Sequence, residues 1–242
     1  YLAYRAGAEA ARAPPPAIGW QLVRLLTLVL RSASGPRRRL VRRHLIRITA
    51  GELQGAALRR ATAEVFRNYG RYWMELFRLE DDLEAAVARF ACDGHEHLRD
   101  ALALGRGAIV ALPHLGNWDV AGAWLSRQGH PLTVVVERLE PPELLDWFVA
   151  QRRMIGMHVI PLGNGAAARV ASALRDGHVV CLVSDRDVAG DGIPVRFFGA
   201  PATMPSGPAM LATRLGVPLL PAGVFFESDG RHRARILPAL AA

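Results

Sequence analysis

The chain has 242 residues, 51% of them apolar and 21% charged, enough for one large domain or two small ones whose core needs no disulfide staple. That excludes a disordered tail and a mini-protein scaffold, and 23 Gly with 16 Pro is too few for a low-complexity chain. The formal net charge of +8 would suit nucleic acid if it were spread evenly, but the first fifty residues hold ten Arg against the single acid Glu9, so the remainder is close to neutral.

Within that basic segment, Ile18, Trp20, Leu22, Val23, Leu25, Leu26, Leu28, Val29 and Leu30 form an apolar stretch interrupted by Gln21 and Arg24. Its most apolar run, residues 25–30, is far short of the roughly 20 residues that a bilayer span needs. Followed by Arg37, Arg38, Arg39, Arg42 and Arg43, it reads as an element lying on an anionic membrane surface through residues 17–47. The plainer alternative is a buried helix followed by a solvated basic turn. No aromatics interleave with the arginines to stack on bases, so nucleic acid is not an expected partner. The chain starts at Tyr1, and no small-residue cleavage pattern follows the apolar stretch, so a secretory signal does not fit. Cys92 and Cys181, in largely apolar surroundings, read as two reduced, buried thiols of a cytosolic protein.

From Leu40 to about Val87 the apolar positions recur at three and four residues, which predicts two or three helices. From Gly105 the pattern changes to short runs rich in β-branched residues, at 108–112, 132–136, 158–161, 179–183 and 219–226, mostly without alternation. Such runs are strands covered on both faces. Helical candidates at 117–128, 141–155, 165–176 and 207–215 separate them, which predicts an α/β fold: a central, mostly parallel sheet with helices on both faces, preceded by N-terminal helices. The whole reads as a single domain, with a basic helical segment over 1–50, a helical segment over 51–104 and an α/β core over 105–242.

In such sheets the chemistry sits at the carboxyl ends of the strands. Pro113 ends the first core strand, His114 emerges at its carboxyl end, and Asn117 can cap the helix that carries Trp118 and Asp119. His95 and Asp100 share the five-residue spacing of His114 and Asp119, but on one helix five positions rotate side chains about 140° apart. Across a strand end, a turn and a helix start, His114 and Asp119 can converge. A histidine and a carboxylate so placed suit proton abstraction from an alcohol, the carboxylate fixing the imidazole tautomer. None of the seven serines has Gly two positions before it, so the nucleophile elbow of serine hydrolases is absent. His95, Glu96 and His97 face apart on a helix, and no metal site is expected.

His114-Leu-Gly-Asn-Trp-Asp119, preceded by Gly105-Arg-Gly-Ala-Ile-Val-Ala-Leu-Pro113, resembles the signature of the lipid A biosynthesis acyltransferase family, in particular the actinobacterial branch that acylates phosphatidylinositol mannosides. Further matches follow in order: Val136-Glu137-Arg138-Leu139, Arg152 before Met154-Ile155-Gly156, Asp185-Arg186-Asp187, and Phe197-Phe198-Gly199 before residues 204–209. The resemblance implies His114 as catalytic base and Asp119 as the acid of the family's His-x4-Asp motif, with Glu137 and Arg152 lining the active-site groove. Asp185 stands where mycobacterial members carry Glu, at the carboxyl end of the 179–183 strand, so either Asp119 or Asp185 can orient His114. Asn117 and Arg186, beside these positions, are further substrate-binding candidates.

The expected function is a peripheral enzyme at the cytoplasmic face of the plasma membrane. It would move a long-chain acyl group, palmitoyl from acyl-CoA, to a mannose hydroxyl of a phosphatidylinositol mannoside, with no metal or prosthetic group and no covalent intermediate. Two rivals are an acyl-CoA thioesterase or lipid hydrolase using the same histidine and carboxylate, and a non-catalytic lipid-binding module.

Overall fold

The computed structural model describes residues 2–241 apart from 16, 17, 22, 24, 26, 28–33 and 189. It comprises two compact units, one of Leu2–Arg78 with Arg196–Ala202, the other of Leu79–Val195 with Thr203–Ala242.

The first unit holds α1 (Leu2–Arg12), α2 (Gly35–Ile48) and α3 (Gly55–Ala88) as far as Arg78. Tyr69, Tyr72, Trp73 and Phe77, one to four positions apart on α3, build its aromatic cluster, and Tyr4 of α1 meets Trp73 at 5.5 Å between ring centroids. Arg78 is buried, its charge satisfied by donating from Nη1 to the carbonyls of Ala11 at 2.9 Å and Pro14 at 3.2 Å. Of the apolar stretch over 18–30, residues 18–21, 23, 25 and 27 are helical. Leu22, Arg24, Leu26, Leu28, Val29 and Leu30 lie outside the described residues. Gly70 of α3 lets this stretch approach closely, since a Cβ there would run into Thr27 Cγ2 and stand 3.0 Å from Val23 Cγ1. Leu25 nevertheless faces outward, 60% exposed. α2 starts on Ser34-Gly35-Pro36 and buries none of its residues; Leu40, Ile46 and Ile48 stand exposed among its six arginines. No helix among the described residues is long and apolar enough to cross a membrane.

The second unit contains β1 (Phe90–Asp93), α4 (His95–Leu102), β2 (Ala108–Leu112), α5 (Trp118–Arg127), β3 (Leu132–Val136), α6 (Pro142–Met154), β4 (Met157–Pro161), α7 (Ala166–Arg175) and β5 (Val179–Val183). The ribbon β6 (Ile193–Phe197) and β7 (Ala200–Met204) follows, its tip Arg196–Ala202 belonging to the first unit, and the second unit continues with α8 (Gly207–Leu215), β8 (Leu219–Phe226) and β9 (His232–Ile236). The seven-stranded sheet has the order β1-β9-β8-β2-β5-β3-β4, with β8, β2, β5, β3 and β4 parallel. β9 runs antiparallel to β8, and β1 pairs parallel with β9. The expected mostly parallel α/β sheet is therefore present, with β1, β9 and the β6–β7 ribbon added to the strands read from sequence.

Successive residues of a strand face opposite ways, and here both faces are covered. Ile109 and Val180 pack with Val170, Leu174 and Ala212 on one side. Val110 and Val179 pack with Leu98, Val120 and Ala123 on the other. β2, at the middle of the sheet, is buried at Ala108, Ile109 and Val110, so its register is set from both sides and its carboxyl end is held firmly. α4 places His95 at its first turn, where His95 Nε2 meets His130 Nε2 at 3.1 Å.

Candidate active site

Two neighbouring parallel strands end at the same level. Leu112 of β2 is paired with Val183 of β5, and the Ser184 N–H donates to the Leu112 carbonyl at 3.0 Å. His114 and Asp185 each lie two residues beyond that pair, so equal extensions bring them together: His114 Nδ1 is 2.7 Å from Asp185 Oδ1. Burial raises the Asp185 carboxyl, but the bond to the His114 ring, the His114 backbone N–H and the imidazole's charge outweigh it and hold the carboxyl below its ordinary range. With Nδ1 held by Asp185, Nε2 is the nitrogen of His114 left to exchange a proton with another molecule. The imidazole side chain is 38% exposed, so a molecule from solvent can reach it. Trp118 stands against it edge to face, with ring centroids 5.1 Å apart.

The turn between His114 and α5 rests on two local devices. Gly116 has φ 65°, and a Cβ there would run into the Val224 carbonyl of β8, so both backbone conformation and close approach call for glycine. Asn117 caps α5, its buried side-chain oxygen accepting from the Val120 N–H at 3.2 Å.

Asp119 in the first turn of α5 is fully buried, and Arg152 Nε of α6 stands 3.0 Å from its Oδ1. Arg152 also lies over the Phe148 ring at 5.5 Å. The carboxylate that meets the histidine is thus Asp185, while Asp119 and Arg152 form an ion pair joining α5 to α6. Glu137, the first residue after β3, is exposed on the same edge of the sheet. Its neighbour Arg138 donates to the Leu162 carbonyl at 3.1 Å. Arg186 is exposed next to Asp185. Asp187 shapes the following loop by accepting from the Gly190 N–H at 2.9 Å, and the Thr203 hydroxyl, ahead of several backbone N–H groups, holds its carboxyl low.

An apolar cavity of about 80 Å³ lies between the sheet and α5, lined by Leu112, Trp118, Cys181, Val183 and Val224 among others. Leu112 and Val183 are the last residues of the two strands that carry His114 and Asp185, and Trp118 touches both the cavity and the imidazole. Burial pushes the Cys181 thiol up to about 12. Cys92, also on the cavity wall, is raised to about 11 by burial first and then by Asp93 and Glu96. Sequence reading took Cys92 and Cys181 as buried thiols but did not gather these residues around a cavity. Trp118 was visible in the motif, but its contact with His114 depends on how tightly the turn closes.

The site lies within a chain whose residues 22–242 match the family model described as bacterial lipid A biosynthesis acyltransferase. The phosphatidylinositol mannoside acyltransferase of Mycobacterium tuberculosis is 43% identical over 179 residues, 72% of this chain and 56% of the relative. The protein of that name from Mycolicibacterium smegmatis is 37% identical over 246 residues, 99% of this chain and 79% of the relative. A lipid A biosynthesis acyltransferase of Haemophilus influenzae is 29% identical over 152 residues, 61% of this chain and 46% of the relative. The chain thus spans little more than half the length of the Mycobacterium tuberculosis relative and most of the Mycolicibacterium one. It belongs to the bacterial lipid A biosynthesis acyltransferase family.

Proposed function

We propose that this chain carries the catalytic centre of an O-acyltransferase that moves a long-chain acyl group from acyl-CoA to a mannose hydroxyl of a phosphatidylinositol mannoside. The observation that carries the reading is the bond between His114 Nδ1 and Asp185 Oδ1 at the mouth of two buried strands, beside an apolar cavity. The names of the mycobacterial relatives support the acceptor class.

In the proposed step His114 Nε2 takes the proton of the sugar hydroxyl while the oxygen attacks the thioester carbonyl. The tetrahedral intermediate collapses with cleavage of the C–S bond, and the proton on the imidazolium passes to the departing CoA thiolate. Asp185 fixes the ring and stabilises the imidazolium. Asp119 acts at one remove, since its pair with Arg152 ties the first turn of α5, and with it the loop bearing His114, to α6. Glu137 and Arg186, exposed on the same edge, are placed to meet polar parts of the substrates. The arginines and outward apolar residues of α2 suit contact with an anionic bilayer, where a glycolipid acceptor resides, at the cytoplasmic leaflet.

The product distinguishes this reading from its rivals. Incubated with palmitoyl-CoA and purified phosphatidylinositol mannoside, the protein should yield a glycolipid heavier by one acyl chain in mass spectrometry. Free fatty acid formed at the same rate with or without acceptor would replace the transferase with a thioesterase, and binding without turnover would leave a lipid-binding module.

A further inference from the structure

The β6–β7 ribbon turns through Phe198 and Gly199, at φ 45° and 74°. Two positive φ values in a two-residue turn are the sign pattern of a type I′ hairpin, for which Asn-Gly is the favoured pair. Phe198 puts a bulky side chain where residues with a Cβ rarely go. Arg196 closes the turn by donating from Nη1 to the Gly199 carbonyl at 3.1 Å. The rings of Phe197 and Phe198 meet each other edge to face, centroids 4.7 Å apart, and the two residues are 49% and 54% exposed. Burial would account for an aromatic residue held in a left-handed conformation; both residues are about half exposed, so burial accounts for them only in part.

Two further observations select the partner. Pro194 in β6 and Pro201 in β7 interrupt the N–H rows of the ribbon, which disfavours a protein partner that adds a strand. The tip, Arg196–Ala202, also belongs to the same compact unit as α2, with its six arginines and its exposed Leu40, Ile46 and Ile48. Arginines suit the headgroups of an anionic bilayer, and aromatic rings suit the boundary just beneath them. We propose that the Phe197–Phe198 tip is a membrane wedge, entering the interface of an anionic bilayer and adding an apolar, salt-insensitive part to the electrostatic attraction of α2. This extends the membrane-surface part of the reading above.

Vesicle pelleting with the full chain tests the wedge. The probes are vesicles of phosphatidylcholine with a minor share of phosphatidylinositol, at low and at high salt. Phe198→Asn installs the residue the turn favours, so the thermal midpoint should hold or rise while partition at high salt falls about tenfold, as expected for loss of one inserted ring. Phe197→Thr with Phe198→Asn should fall further, and Phe198→Trp should bind at least as well as the parent chain. Unchanged high-salt partition of the double variant would overturn the wedge. So would a drop of several degrees in the midpoint of Phe198→Asn, which would make the ring a packing element, or a concentration-dependent dimer of the parent chain that Phe198→Asn abolishes. The pelleting needs no acyl substrate, so the wedge stands or falls separately from the transfer reaction.

Discussion

The histidine and carboxylate meet because two strands of equal register are each extended by two residues, and that geometry assigns different tasks to the two aspartates that either could have partnered His114. His114→Ala should lower acyl transfer by about 10²–10⁴-fold, the usual worth of a positioned general base. Asp185→Asn should approach that loss without unfolding the protein, whereas Asp185→Glu should retain much of the rate, which steady-state kinetics with a thermal melt alongside would check. The Asp185 carboxyl is held lower in the folded chain than in the unfolded one, so the unfolded chain binds more protons in that range. Its contribution to stability is therefore complete above the ordinary carboxylate pKa and is lost as the pH falls through the depressed value. In acid melts, Asp185→Asn should flatten the fall in stability below about pH 4. Cys181, with its thiol pushed up to about 12 by burial, should resist a water-soluble thiol reagent at neutral pH until the chain is unfolded.

The turn from β2 to α5 and the pair from α5 to α6 are where a substitution at one residue should be felt by the whole element. Arg152→Ala leaves the fully buried Asp119 without its guanidinium and should cost about 3–5 kcal/mol in chemical denaturation, while the double change Arg152→Met with Asp119→Leu should recover much of it. The central strands and their helices were legible in sequence because β2, β3, β5 and β8 are apolar runs, interrupted in β3 by Thr133, and are covered on both sides. β1 and β9 were not: Phe90-Ala-Cys-Asp93 is short, and His232-Arg-Ala-Arg-Ile236 spends alternate positions on arginines, one of which bonds Asp93 and Glu227. The β6–β7 ribbon carries a proline in each strand and outward apolar residues, so it lacks the signature of a covered strand. His114 stood out by its place at a strand end, and the family resemblance singled it out as the base. Its pairing with Asp185 required the register of β2 against β5, and the pairing of Asp119 with Arg152 joins residues 33 positions apart that no local pattern connects.

At the scale of the whole molecule, an α/β unit holding the histidine and carboxylate accompanies a helical unit that carries a basic helix and an aromatic hairpin tip. The proposed reaction, with an acceptor anchored in a bilayer and a donor arriving from water, calls for both parts. Vesicle binding of the parent chain should weaken with salt, as screening reduces the attraction of the α2 arginines, and should keep a residual, salt-resistant part. Histidines on the opposite, amino-terminal edge of the sheet set a second global property. His95, His130 and His178 are all held below the ordinary imidazole value, by burial first and then by neighbouring imidazole or arginine groups. The unfolded chain takes up protons there before the folded chain does, so global stability should begin to fall below about pH 6.5. Replacing His178 by Gln should lessen that slope in melts taken across the range. The central claim, that His114 is the base for transfer to a glycolipid, is met most directly by one comparison: the rate of thiol release from palmitoyl-CoA in the presence of phosphatidylinositol mannoside, for the parent chain and for His114→Ala. The account predicts acceptor-dependent release in the parent and a loss of about 10²–10⁴-fold in the variant; an undiminished acceptor-dependent rate in a folded His114→Ala protein would contradict it.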